Sequence, residues 1–114
     1  MIDWLLSFPD PQYYWLRPAI RSLSQVPRIE YPDVVFATGA PWTALFVGKV
    51  LAQRFRVPFV ADFRDTWTGN VKIRSPFLFQ RATLLERSIY EAAACVIVNT
   101  DIPYQAACRS LRSC

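Results

Sequence analysis

At 114 residues the chain is the size of one domain. Hydrophobic residues make up 53% of it, which excludes a disordered polar tail. The net charge of +4, carried by eleven Arg against two Lys, suits anionic partners without choosing among them, and the absence of histidine excludes Ser-His-Asp and Cys-His catalysis and histidine metal sites.

Cys95, Cys108 and Cys114 show neither a disulfide framework nor a metal-ligand spacing, so a reducing cytosol is the simplest setting. No apolar run approaches the ~18 residues of a membrane-spanning helix. The start, Met1-Ile2-Asp3-Trp4-Leu5-Leu6, lacks the charged and long apolar regions of a signal peptide.

The first 32 residues read as an aromatic, proline-containing segment distinct from the rest of the chain. Pro9 and Pro11 interrupt any regular element, and Tyr13, Tyr14, Trp15 and Leu16 cluster. Pro18 suits the first turn of a helix through Ile20 and Leu23 to about Ser24. This segment reads either as a cap whose aromatics cover a sheet or as a flap facing an acceptor or a membrane, since Trp and Tyr with Arg17 and Arg21 suit a bilayer interface.

From residue 33 the pattern alternates. Val34 to Thr38 is a short apolar run rich in β-branched residues, the mark of a strand. Gly39-Ala40-Pro41 opens a helix, with Gly39 supplying the positive φ of a sharp turn and Pro41 the first helical position. Trp42, Leu45, Phe46, Lys49, Val50 and Phe55 come next at helical spacing, and Arg54 and Arg56 close the helix at its negative end.

Phe59 to Phe63 is nearly continuous apolar sequence, as in a parallel strand covered on both faces, with Pro58 at its start. Asp62, Arg64 and Asp65 then place three charges in four residues, which is costly in a core. They are therefore expected at the strand's carboxyl end and just beyond it. Ser75-Pro76 starts another helix, with Leu78, Ala82, Leu85, Ile89 and Ala93 at three- and four-residue intervals. Cys95 to Val98 is a third strand, and Asn99-Thr100-Asp101 caps a last helix.

Strand, helix, strand, helix, strand, helix implies a Rossmann-like α/β domain, a three-layer αβα arrangement on a parallel sheet with right-handed crossovers. No Gly-x-Gly-x-x-Gly fingerprint and no P-loop is present, which disfavours dinucleotide binding and nucleoside triphosphate hydrolysis. No cofactor and no metal site is expected. The arginines are scattered rather than gathered in a nucleic-acid-binding module, so no nucleic acid is expected either.

In this topology three loops share one sheet edge, where ligands of open α/β sheets bind: Thr38-Gly39-Ala40, Arg64-Asp65-Thr66-Trp67 and Asn99-Thr100-Asp101. Candidate substrate-binding residues are Gly39, Arg64, Trp67 and Thr100. Arg64 suits a phosphate or carboxylate, and Trp67 suits stacking on a sugar or apolar acceptor. Asp65 is the candidate catalytic residue, placed to accept a hydroxyl proton. Each also has a plain structural explanation: Gly39 as a turn, Arg64 and Asp65 as a mutual pair, and Trp67 as a core cap.

Asp33 to Pro41, Pro58 to Thr68, Leu85-Glu86-Arg87 and Ala94 to Thr100 occur in an order that resembles the N-terminal domain of family-four glycosyltransferases. The Asp-Phe-Arg-Asp-x-Trp-Thr segment is its most specific piece. The resemblance implies half of a two-domain GT-B fold, with residues 33–114 as a partial Rossmann-like N-terminal domain. It implies the acceptor side of a site that moves a sugar from a nucleotide-sugar donor to a cell-envelope lipid or polysaccharide. Cytoplasmic placement, with peripheral contact at the inner face of the membrane, goes with that role.

Several branches of that family carry a histidine in the loop matched by Arg64-Asp65, and this sequence does not. The family's first strand and glycine-rich loop are not evident, and nothing matching the donor domain comes after Cys114. The chain is therefore expected to be a piece of a larger enzyme or a truncated relative, without transfer activity alone. A non-catalytic Rossmann-like interaction module is the alternative.

Overall fold

The computed structural model describes residues 12–64 and 75–98. A 3-10 turn, Tyr13–Trp15, leads into helix α1 (Leu16–Leu23), and a second, Arg28–Glu30, precedes strand β1 (Val35–Gly39). Helix α2 (Trp42–Phe55), strand β2 (Phe59–Phe63), helix α3 (Pro76–Ala92) and strand β3 (Cys95–Val98) complete the order. The helix expected after Asn99 lies outside the described residues.

The three strands form one parallel sheet in the order β1-β2-β3. Val35 pairs with Phe59 and Gly39 with Phe63, while Val60 pairs with Cys95 and Phe63 with Val98. The α/β, Rossmann-like character expected from the alternating pattern is present. Strand β1 is one residue later than the run Val34 to Thr38 suggests. Its bounds match its partner: Val35 N donates to Pro58 O at 2.9 Å, and Gly39 O accepts from Arg64 N at 2.9 Å.

Because each strand is added on the same side of the one before, right-handed crossovers carry both helices to one face. Phe63 touches both: its ring centroid lies 6.4 Å from that of Trp42 in α2 and 4.8 Å from that of Tyr90 in α3. The buried core is built there from Trp42, Leu45, Ala52, Phe59, Ala61, Ala82 and Ile89 around these rings.

Gly48 sets how close α2 comes. A Cβ at that position would meet Ala37 Cβ at 2.6 Å and Phe59 Cε2 at 2.8 Å. The buried residues of α2 are Trp42, Thr43, Leu45, Val47, Gly48, Leu51 and Ala52, whereas Phe46, Lys49, Val50 and Phe55 are half-buried. The buried face is thus rotated from the one expected, because α1 also packs on α2. Arg54 Nε reaches Ser24 O at 3.4 Å and the Tyr31 and Phe55 rings lie 4.6 Å apart. Tyr13 and Tyr14 are exposed, so these two aromatics are not a cover over the sheet.

Helix boundaries reflect local chemistry. Helix α1 starts at Leu16, so Pro18 falls in its first turn as expected, where no N–H partner is needed. Pro41 is the N-cap of α2, not its first helical residue. Arg56 ends α2 in the left-handed conformation, with φ 57° and ψ 46°. Ser75 caps α3 as expected, its side chain accepting from Leu78 N at 3.5 Å, with Pro76 next. No helix among the described residues is long and apolar enough to cross a membrane.

Alternate strand residues face away from the helices. On that second face Phe36, Val60 and Cys95 form one row, and Thr38, Asp62 and Ile97 the next. Phe36 is 58% exposed and Ile97 43%. Among the described residues this face carries no helix, so the sheet and one helical layer are the layers seen.

Candidate functional site

The carboxyl ends of β1 and β2 come together at the expected edge. The backbone bond from Arg64 N to Gly39 O joins the two strand ends, so two of the candidate site residues are neighbours. The turn after β1 contains cis peptide bonds at Gly39-Ala40 and Ala40-Pro41.

Gly39 does not have the positive φ expected of it. Its lack of a side chain is what matters: a Cβ there would meet Leu45 Cδ1 at 2.8 Å and Trp42 Cε3 at 3.1 Å. Glycine lets the first turn of α2 fold tightly against the strand end.

Asp62 lies near the carboxyl end of β2, as expected, yet it is buried, only 4% exposed. A buried carboxylate is tolerated where it is paired and hydrogen-bonded. Its Oδ2 accepts from Thr38 Oγ1 at 2.9 Å and from Arg64 Nε at 3.0 Å. Arg64 therefore pairs with Asp62, while the pairing with Asp65 that the sequence suggests lies outside the described residues. The Arg64 side chain is 68% exposed, so the contact holds a surface guanidinium by its inner nitrogen and leaves its outer end toward solvent.

Asp65, Trp67 and Thr100 lie outside the described residues. Thr38, part of an edge loop named from the sequence, and Asp62 join the site although neither is among the candidate binding or catalytic residues. Strand alternation carries the signal: residues 38 and 62 are register partners on the same face, and an aspartate inside an apolar strand needs a donor from the strand beside it.

A second buried polar pair lies behind this edge. Tyr90 OH donates to Glu86 Oε1 at 2.9 Å, and both residues are buried. Burial, then the Glu86 charge and the hydrogen bond to it, push the Tyr90 phenol well above its ordinary range. Tyr90 is thus a neutral donor, stacked on Phe63, and not a base. Arg87 meets Glu91 at 2.8 Å on the exposed side of α3.

A family model of the glycosyl transferase 4-like domain matches residues 4–105. The chain belongs to this glycosyltransferase family. No curated protein and no solved structure gives a significant match. In this glycosyltransferase domain the described strand-end groups are a hydroxyl, a buried carboxylate and an exposed guanidinium, a set suited to hydrogen-bonding a polar ligand. Among the described residues no group of three or more Cys, Asp or Glu is placed to hold a metal ion.

Proposed function

We propose that this domain supplies the acceptor side of a site that transfers a sugar from a nucleotide-sugar donor to a cell-envelope lipid or polysaccharide acceptor. Family membership over residues 4–105 makes sugar transfer the reaction class. The observation that carries the acceptor role is the strand-end group Thr38, Asp62 and Arg64. It presents hydrogen-bonding side chains at the edge where open α/β sheets bind ligands.

In this reading Arg64, Trp67, Gly39 and Thr100 line the acceptor site, and Asp65, the residue directly after Arg64, accepts the hydroxyl proton. The donor is held by a second domain. Holding the acceptor hydroxyl against the donor's anomeric carbon supplies most of what one wall of such a cleft can give, and well-oriented reactants gain roughly 7–11 kcal/mol of the barrier. The domain works in the cytoplasm at the inner face of the membrane. Supporting that placement, Tyr14, Arg17 and Arg21 are all exposed on and beside α1, and aromatic and basic side chains together suit a bilayer interface.

The test is sugar transfer by the protein together with its donor-binding domain. Arg64→Ala and Asp65→Asn are expected to lower turnover more than Glu86→Gln, since Glu86 is buried in the helical layer with Tyr90. Stability is measured alongside. Wild-type turnover in both loop variants would refute the site assignment.

A further inference from the structure

The Thr38, Asp62 and Arg64 group carries a more specific statement about its ligand, one that rests on the acceptor-site reading above. We infer that it recognises neutral hydroxyl groups of a carbohydrate rather than a phosphate or carboxylate, and that Asp62 is the positioning residue that makes it so.

Charge is the first reason. An isolated arginine attracts anions, but Arg64 Nε sits 3.0 Å from Asp62 Oδ2. The pair has no net charge, so its field falls off faster than that of a lone guanidinium. An anion seated on the outer nitrogens would also face the Asp62 carboxylate. Asp62 is 4% exposed, so solvent does little to mask it from a ligand at that edge.

Hydrogen-bond polarity is the second. Thr38 spends its proton on Asp62, which leaves its hydroxyl oxygen as an acceptor on an exposed residue. Arg64 spends Nε on the same oxygen, which leaves the terminal nitrogens as donors. One acceptor and one forked donor thus stand side by side, fixed through a shared buried carboxylate. A sugar hydroxyl both donates and accepts and satisfies both. The dianion of a phosphate monoester only accepts and leaves the Thr38 oxygen unpaired.

Asp62 also holds the guanidinium in place. A long side chain that is already ordered loses less freedom on binding. Removing the carboxylate should therefore weaken hydroxyl binding and strengthen anion binding, opposite effects that a purely structural role would not produce.

The experiment is a titration of the 114-residue chain, labelled with 15N, with methyl α-D-glucopyranoside and separately with methyl phosphate as its dianion. It is read at the Arg64 Nε–Hε signal and the Gly39 and Arg64 amides by NMR. The glycoside is expected to shift these signals at lower concentration than phosphate does. In Asp62→Asn the order should reverse. Phosphate should bind about tenfold more tightly, the factor given in water by removing one negative charge roughly 6 Å from a dianion. Arg64→Ala, which alters an exposed side chain, should abolish the glycoside response at the Gly39 amide, and it decides the matter if Asp62→Asn does not fold.

Tighter phosphate than glycoside binding in the wild type, no glycoside response, or an equal loss of both ligands in Asp62→Asn would each overturn the inference. The titration involves no turnover. Glycoside binding here combined with unaltered transfer by the Arg64 and Asp65 variants would refute the acceptor-site reading and leave hydroxyl recognition standing.

Discussion

Replacing Gly48 by alanine tests how the helical layer is seated on the sheet. The added methyl would lie 2.6 Å from Ala37 Cβ and 2.8 Å from Phe59 Cε2. Carbon atoms pack at about 3.5–4.0 Å, so α2 and β1 must part by about 1 Å. Phe59 can turn its ring, but Ala37 has no rotamer to change and its strand is tied to β2. Overpacking of this kind typically costs about 1–3 kcal/mol. Against it stands the helix preference for alanine over glycine, about 0.8–1.0 kcal/mol. The expected net loss is about 1 kcal/mol, which for a domain of this size lowers Tm by roughly 3–5 °C. Urea unfolding at low protein concentration, monitored by tryptophan fluorescence and by circular dichroism, measures it. Gln53, exposed on the same helix, supplies the control: Gln53→Ala should exceed Gln53→Gly in stability by about 1 kcal/mol. If Gly48→Ala proves as stable as wild type or more so, close helix–strand approach is not what glycine provides there.

The helical layer gives three further expected outcomes. Tyr90→Phe leaves the buried Glu86 without its phenol donor and should cost about 1–3 kcal/mol by the same unfolding assay. Because the folded chain holds the Tyr90 proton above the ordinary value of 10.0, the unfolded chain ionises first as pH rises. Tyr90 should therefore add stability that is complete below that pH and lost progressively above it, and Tyr90→Phe should flatten the alkaline limb of the stability profile. Ser75→Ala removes the cap of α3 and should cost about 0.5 kcal/mol, the low end for a cap, since the bond to Leu78 N is long at 3.5 Å. Arg87→Ala breaks an exposed pair with Glu91 and should change stability by less than about 0.5 kcal/mol.

The strands and the two long helices are legible in the sequence because their signals are local. Short apolar runs mark β1, β2 and β3, with Pro32 and Gly39 around the first and Pro58 before the second, and Ser75-Pro76 marks the start of α3 in the residues themselves. Features that depend on a neighbour are harder to see. The end of β1 is set by Arg64 N bonding to Gly39 O, a partner 25 positions away in sequence, as 64 minus 39 gives. Glycine in a sequence suggests dihedral freedom, whereas Gly39 and Gly48 serve by lacking a Cβ beside Leu45, Trp42, Ala37 and Phe59. Arg64 has Asp65 as its sequence neighbour, but alternation along the strand also turns residues 62 and 64 to the same side, where Asp62 pairs with it. That pairing is available from period-two geometry once the strand is placed.

The face of the sheet turned away from the helices carries a chemical handle of its own. Cys95 is exposed there, opposite Val60 in the register and in the same row as Phe36. With Cys108 and Cys114 changed to serine, alkylation of this one thiol by iodoacetamide becomes a clock for that face. Its rate matches a free cysteine peptide when the face is bare and slows when polypeptide or lipid lies over the row. A single sulfur atom thus converts the one-sided placement of α2 and α3 into a measurable reaction rate.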